Sequence, residues 1–160
     1  MIFRQVRKED LEPLVILENK AFTPEEAATK QAFINRIETI PDTFIIAEEK
    51  NQIIGYVNGP VLSAPFITDD LFDQTMPNPV SGSYQSILGI VVAPDYQKKG
   101  IAGMLLRAFE KQARAKNRLT VTLTCRESLI PFYQKNGYVN HGIAESQHGG
   151  IEWFNMDKML

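Results

Sequence analysis

Apolar positions along this chain change their spacing several times, and each change marks an element. Ile2 to Val6 reads as a short strand. From Arg7 to Lys20, Leu11, Leu14, Val15 and Leu17 recur at helical spacing behind the polar opening Lys8-Glu9-Asp10. Thr23 followed by Pro24 has the form of an N-cap with proline at the first helical position. It predicts a second helix with Ala27, Phe33, Ile34 and Ile37 on its inner face. Thr43 to Glu48 and Gln52 to Val57 are apolar runs parted by Glu49-Lys50-Asn51, the pattern of a hairpin. Ser63 to Gly82 has no such period: prolines 65, 77 and 79 alternate with aspartates 69, 70 and 73 and isolated aromatics. A long connecting segment with one helical turn at Asp69 to Gln74 is expected, and loops of that length in compact domains are usually functional or disordered.

In the second half, Gln85 to Val92 predicts one strand, apolar on both faces from Ile87 onward and therefore central. Gly100 to Lys116 predicts a helix with Ile101, Leu105, Ala108, Phe109 and Gln112 on one side. Leu119, Val121, Leu123 and Cys125 alternate with threonines, the period of a strand. Ser128 is placed to cap a short helix that stops at Asn136-Gly137. Tyr138 to Ala144 and Ile151 to Met156 then form a last hairpin around His148-Gly149-Gly150. The order βααββ, loop, βαβαββ describes an α+β sheet with helices on both faces, folded as a single domain over residues 1–160.

Composition narrows the class. With 160 residues and 44% hydrophobic content there is material for one ordinary core. No run approaches the roughly 18 apolar residues that span a bilayer, and the start Met1-Ile2-Phe3-Arg4-Gln5 lacks the apolar core of a secretory signal. The single cysteine, Cys125, has no internal partner, which fits a reducing compartment and a cytoplasmic protein. Seventeen basic against nineteen acidic residues give no field suited to nucleic acid. Two histidines with one cysteine cannot complete a zinc site, so neither metal, membrane nor nucleic acid is expected as a partner.

The informative run is Val91-Val92-Ala93-Pro94-Asp95-Tyr96-Gln97-Lys98-Lys99-Gly100-Ile101-Ala102-Gly103. A buried strand feeds a short turn, and the turn feeds a helix. Gly100 and Gly103 allow close backbone approach, Lys98 and Lys99 add positive charge, and the first helical turn presents unpaired N–H groups. Such an arrangement cradles a pyrophosphate. A plain capped turn with two solvated lysines is the competing reading, and Gly-x-x-Gly alone does not decide between them.

The surrounding residues do. Gln97-Lys98-Lys99-Gly100-Ile101-Ala102 resembles the Gln/Arg-x-x-Gly-x-Gly/Ala signature of the GCN5-related N-acetyltransferase (GNAT) superfamily, and the order of elements matches along nearly the whole chain. Cys125 to Tyr138, Ile40-Pro41-Asp42 and the Pro-rich segment are further similar to arylalkylamine (serotonin) N-acetyltransferases. The resemblance implies the GNAT fold, an α/β/α sandwich on a mixed, mostly antiparallel sheet. It also implies acetyl-CoA as cosubstrate, its pyrophosphate on Gln97 to Gly103 and its pantetheine along Ile90, Val91 and Val92, where a backbone N–H would stabilise the developing oxyanion. Tyr133 falls at the family's general acid, with an ordinary tyrosine pKa of about 10 against about 8.5 for a thiol, and would also contact the cofactor.

For the base, the two histidines of the vertebrate arylalkylamine enzymes correspond to Ser86 and Leu88, so that route is absent. Insect enzymes use a glutamate after an aromatic residue that ends the first helix. Glu25 and Glu26, behind Phe22-Thr23-Pro24, are the counterparts, with solvent water the remaining route. Phe22, Ile87, Ile90 and Trp153 fall at the acceptor-contacting positions, while His141 and His148 are expected to be structural or solvent-facing. The expected activity is acetyl transfer to a primary amine, a small arylalkylamine before others. Protein or peptide N-acetylation and a non-catalytic acyl-CoA sensor stay open, as does a homodimer.

Overall fold

A computed structural model describes residues 1–146 and 150–160; His148 and Gly149 of the expected hairpin turn lie outside them. The elements are β1 (Ile2–Gln5), α1 (Leu11–Ala21), α2 (Lys30–Thr39), β2 (Phe44–Glu49), β3 (Gln52–Asn58), β4 (Val61–Leu62), α3 (Asp70–Asp73), β5 (Tyr84–Ile87), β6 (Gly89–Val92), α4 (Ile101–Ala115), β7 (Thr120–Cys125), α5 (Ile130–Lys135), β8 (Val139–Ile143) and β9 (Phe154–Met159). The strands form two sheets, ordered β1-β2-β3-β6 and β4-β5-β7-β9-β8, antiparallel throughout except for the parallel pair β5–β7.

Alternation in β2 and β3 divides the interior into two layers. Ile45, Ala47, Ile54 and Val57 face α4, packing against Leu105, Leu106 and Phe109 together with Val121 and Leu123 of β7. Phe44, Ile46 and Tyr56 face the other way, onto Leu14 and Leu17 of α1 and Phe33 and Ile37 of α2. There the rings of Phe33, Phe44 and Tyr56 meet with centroids 5.6–6.3 Å apart. Burial of Phe33 alone contributes about 2–3 kcal/mol. The α+β class, with helices on both faces of a mostly antiparallel sheet, is as the periodicity predicts.

Five local expectations are corrected. The strand predicted over Gln85 to Val92 is two strands, because the chain breaks at Leu88 and passes from β7 as partner to β3. Thr23 does not cap a helix: its carbonyl accepts the Glu26 and Ala27 amides in a turn, and α2 is capped by Thr29, whose hydroxyl accepts the Ala32 amide at 3.1 Å. The inner face of α2 therefore carries Ala32, Phe33, Arg36 and Ile37, with Ile34 half-buried and Ala27 outside the helix. Ser128 makes no capping bond; α5 begins after a 3-10 turn, Glu127–Leu129, with Pro131 in its first turn. The last strand starts at Phe154 instead of Ile151, paired in register with β7 from Thr120 to Cys125.

Candidate functional site

Leu88 is where the site begins. Up to Ile87 the chain pairs with β7, Ile87 opposite Leu123. From Gly89 it pairs with β3 alone, Gly89 opposite Asn58 and Val91 opposite Tyr56, so β6 is the edge of its sheet. The sheets part between β6 and the end of β7. Gly89 brings the backbone close to Tyr56: a Cβ on it would lie 3.0 Å from the Tyr56 hydroxyl. Ile90 and Val92 are half-buried along this edge, while Val91 is buried in the layer beneath α1.

Beyond β6 a 3-10 turn (Pro94–Tyr96) leads to Gln97, which folds back to donate from Nε2 to the Val92 carbonyl at 3.2 Å. Lys98 and Gly100 take left-handed backbone conformations, φ +63° and +79°, and no side chain caps α4. Gln97, Lys98, Lys99 and Gly100 are exposed, and a Cβ on Gly100 would meet no atom within 4 Å. Lys99 Nζ stands 5.3 Å from the Tyr96 ring centroid. Ile101 turns its side chain into the core and offers a ligand only its backbone N–H. Ala102 is half-buried, and Gly103 is buried with Arg107 and Asn136 in van der Waals range of a Cβ. Open space above uncapped amides, flanked by two lysines, fits a pyrophosphate.

A cavity of about 180 Å³ occupies the parting of the sheets. One wall is Ile87, Leu88, Gly89 and Ile90 with Thr124, Cys125, Leu129 and Tyr133. The facing wall comes from elsewhere in the chain: Phe22, Ala27, Ala28 and Thr29 between α1 and α2, Phe72 and Asp73 of the long connecting segment, and Trp153. Tyr133 is buried with its ring edge-on to Phe132 and Tyr138, and desolvation, then the neighbouring Cys125, pushes its hydroxyl well above the ordinary tyrosine range. It keeps its proton at neutral pH. Burial pushes the Cys125 thiol up to about 11, so it is no nucleophile at that pH.

The polar groups of the cavity are Glu18, Glu26, Arg36, Asp73 and Arg126. Of the two glutamates taken from the sequence, Glu25 is exposed and outside the lining, whereas Glu26 is in it. Glu26 is bound on both sides, by an ion pair with Arg126 and by the Thr23 hydroxyl at 3.2 Å. Arg126 also lies over the Trp153 ring, 6.0 Å from its centroid.

Glu18, Tyr56 and Arg36 are not singled out by the sequence pattern. Glu18 is 3% exposed; its Oε1 accepts the Tyr56 hydroxyl at 2.6 Å and its Oε2 the Ala28 amide at 2.7 Å. Burial raises its pKa above the carboxylate norm, outweighing Tyr56, Ala28 and Arg36, all of which favour the charged form. Arg36, 2% exposed, donates to the Phe72 carbonyl at 2.9 Å and faces Asn58 Oδ1 at 3.5 Å. The available signal was a charged residue in phase with an apolar stripe: Glu18 beside Leu14 and Leu17, Arg36 beside Phe33 and Ile37. Ser86 is buried and donates to the Pro60 carbonyl. His141 is exposed and pairs with Asp157 at 2.7 Å. Among the described residues no three His, Cys, Asp or Glu side chains are grouped to hold a metal ion, and no helix is long and apolar enough to cross a membrane.

Residues 7–138 match the model of the acetyltransferase (GNAT) family. No curated protein matches the chain significantly. Among solved structures, the chain is similar to a GNAT-like decarboxylase, GphF, in complex with isobutyryl-CoA, at 17% identity and TM-score 0.86 over 99% of both chains. It is similar to Ard1 from Thermoplasma volcanium at 19% identity and TM-score 0.78, covering 99% of this chain and 97% of that one. A third is an aminoglycoside 6'-N-acetyltransferase complexed with coenzyme A, at 14% identity and TM-score 0.74, again over 99% and 97%.

Proposed function

Because the chain belongs to the acetyltransferase (GNAT) family, whose model spans most of its length, we propose that it transfers an acetyl group from acetyl-CoA to a primary amine, a small arylalkylamine before others. The observation that carries this reading is the cavity where the sheets part. It lies against the free edge of β6 on one side and is flanked by aromatic rings and carboxylates on the other.

Acetyl-CoA supplies the activated thioester. Lys98, Lys99 and the amides from Gly100 to Gly103 would hold its pyrophosphate, and the backbone of Ile90 to Val92 its pantetheine arm. Two relatives of the same fold are described with CoA or an acyl-CoA, which supports this assignment. Tyr133 lines the cavity and is assigned as the donor to the departing thiolate on its position, since burial makes its hydroxyl a weaker acid than a free tyrosine. Phe22, Phe72 and Trp153 bring aromatic rings suited to an aryl group or a cation, and the carboxylates Glu18, Glu26 and Asp73 outnumber the guanidiniums Arg36 and Arg126, of which Arg126 is paired with Glu26.

A peptide acceptor needs an open groove, and the long connecting segment stands in its way. Phe72 and Asp73 line the cavity, Arg36 holds the Phe72 carbonyl, and Asp69 accepts the Ser146 hydroxyl. That supports a small acceptor over a protein N-terminus or lysine.

The test is CoA release from acetyl-CoA with phenethylamine, tryptamine, spermidine or a lysine peptide, wild type against Tyr133→Phe. Turnover of the arylalkylamines that falls at least about tenfold in the variant is expected, the low end of what proton transfer contributes. Binding of acetyl-CoA without turnover of any amine would overturn the enzymatic reading in favour of a sensor.

A further inference from the structure

Accepting that acetyl is transferred to an amine here, we propose that Glu18, held by Tyr56 and the Ala28 amide, is the group that takes the proton from the acceptor ammonium, in place of the glutamates of the 23–27 turn.

Placement comes first. Glu18 is on the last turns of α1 and lines the cavity, and its hydrogen-bonded partner Tyr56 lies directly under the broken strand. The Tyr56 hydroxyl is 2.6 Å from Glu18 Oε1 and 3.0 Å from where a Cβ of Gly89 would be. The carboxylate is therefore one hydroxyl away from the strand edge that faces the acyl group. Each of its oxygens accepts one hydrogen bond from the protein, which leaves lone pairs for an incoming proton.

Charge comes second. The groups facing Glu18 are Tyr56 on β3, Arg36 on α2, Glu26 in the turn, Asp73 in the connecting segment, and Cys125, Arg126 and Tyr133 across the cavity. Arg126 is paired with Glu26, and Arg36 is held by Phe72 and Asn58. Glu18 itself makes no ion pair with the described residues. Arg36 attracts its charge through space, but burial outweighs that attraction, and the raised pKa brings Glu18 closer to that of the ammonium it must deprotonate.

The step balances as follows. The first ammonium proton passes to the Glu18 carboxylate and from there to solvent. The freed lone pair forms the N–C bond, the C–S bond breaks, and the thiolate takes the proton of Tyr133. The second proton, shed by the new amide nitrogen, restores Tyr133. Net, an ammonium and acetyl-CoA give an N-acetylamine, CoA and one proton.

The experiment is the pH profile of kcat/KM for phenethylamine from pH 4 to 10, for wild type, Glu18→Gln, Glu26→Gln and Tyr56→Phe, with melting temperature and acetyl-CoA affinity measured alongside. Glu18→Gln should lose at least about a hundredfold at pH 7. The loss should shrink toward the amine pKa of about 10, where the acceptor is neutral without help. Its melting temperature should stay close to wild type, because relief of the buried carboxylate is offset by the attraction that Arg36 loses, and its acetyl-CoA affinity should be unchanged. Tyr56→Phe removes a bond that favours the charged carboxylate, so the acidic limb should move to higher pH. Glu26→Gln should keep the wild-type profile shape. A Glu18→Gln loss that is the same at every pH, or under about threefold at pH 7, overturns the proposal, as does a Tyr56→Phe profile with an unmoved acidic limb. Wild type inert toward every amine overturns the underlying acetyltransferase reading instead.

Discussion

Among the described glycines, Gly59 is where an added Cβ would lie nearest to neighbouring backbone, and replacing it with alanine offers a test of the packing that sets up the cavity. It lies between β3 and β4, with its amide donating to the Thr43 carbonyl. A Cβ there would be 1.9 Å from the Ser86 carbonyl oxygen, 2.5 Å from its carbon and 2.9 Å from the Ile87 Cα. None of these atoms belongs to a side chain that could swing away. Relief requires β5 to separate from β3, and that stretches the bonds Ser86 N to Pro60 O, at 2.9 Å, and Leu88 N to Asn58 O, at 2.7 Å. Weakening two buried hydrogen bonds costs about 1 kcal/mol each, and overpacking adds about 1–3 kcal/mol, so Gly59→Ala should cost about 4 kcal/mol. Unfolding entropy of about 2.1 cal/mol/K per residue over 160 residues turns that into a drop of about 12 °C. Gly100→Ala is the control. Its Cβ would meet nothing, leaving only the left-handed backbone, φ +79°, to oppose it. That costs about 1–2 kcal/mol, partly offset in the unfolded chain, for a drop of about 3 °C. Scanning calorimetry of the three proteins decides. If Gly59→Ala melts within about 3 °C of wild type, or no lower than Gly100→Ala, the close approach is wrong.

Two further outcomes are expected. Lys98→Ala with Lys99→Ala should weaken acetyl-CoA binding about three- to tenfold and flatten its salt dependence, read by titration calorimetry at two ionic strengths. Asp10 links stability to pH. Burial works against its charge, but the Arg4 fork at 2.8 and 2.9 Å and the Arg7 amide at 2.7 Å prevail and hold its pKa below the usual carboxylate value. The stabilisation is therefore complete above the unfolded pKa of about 4 and is lost as pH falls through the lower folded value. Asp10→Asn should melt lower than wild type at pH 7, and melting curves taken down to pH 2 should see the gap close.

What the sequence disclosed divides along the range of the forces involved. The turn from Gln97 to Gly100 and the helix after it were legible because a turn and its left-handed glycine are decided by neighbours in the chain. Phe22, Ile87, Ile90, Tyr133 and Trp153, which the family resemblance set at acceptor and acid positions, come together around one cavity. The break at Leu88 was not legible, since Ile87-Leu88-Gly89-Ile90 is an unbroken apolar run. Its division depends on two different partner strands, one more than thirty residues earlier and one more than thirty later. Thr29 lost to Thr23 on sequence because Pro24 mimics a helix start, while the actual cap depends on how the 23–27 turn closes. Glu18 and Arg36 were hidden for a similar reason. A charged residue in phase with an apolar stripe reads as an irregularity until tertiary packing supplies Tyr56, Ala28 and Phe72 as its partners.

The free edge of β6 has a colloidal side as well. Gly89-Ile90-Val91-Val92 is apolar and uncharged, and its four-residue length is what limits it as a margin on which a foreign strand could pair. Proteins usually guard such margins with lysine, proline or a covering helix. Here the nearest lysines lie past the end of the strand, at 98 and 99. An occupant able to hydrogen-bond along that margin would therefore act as a plug against self-association, and storage with and without coenzyme A should change how long the protein stays monodisperse.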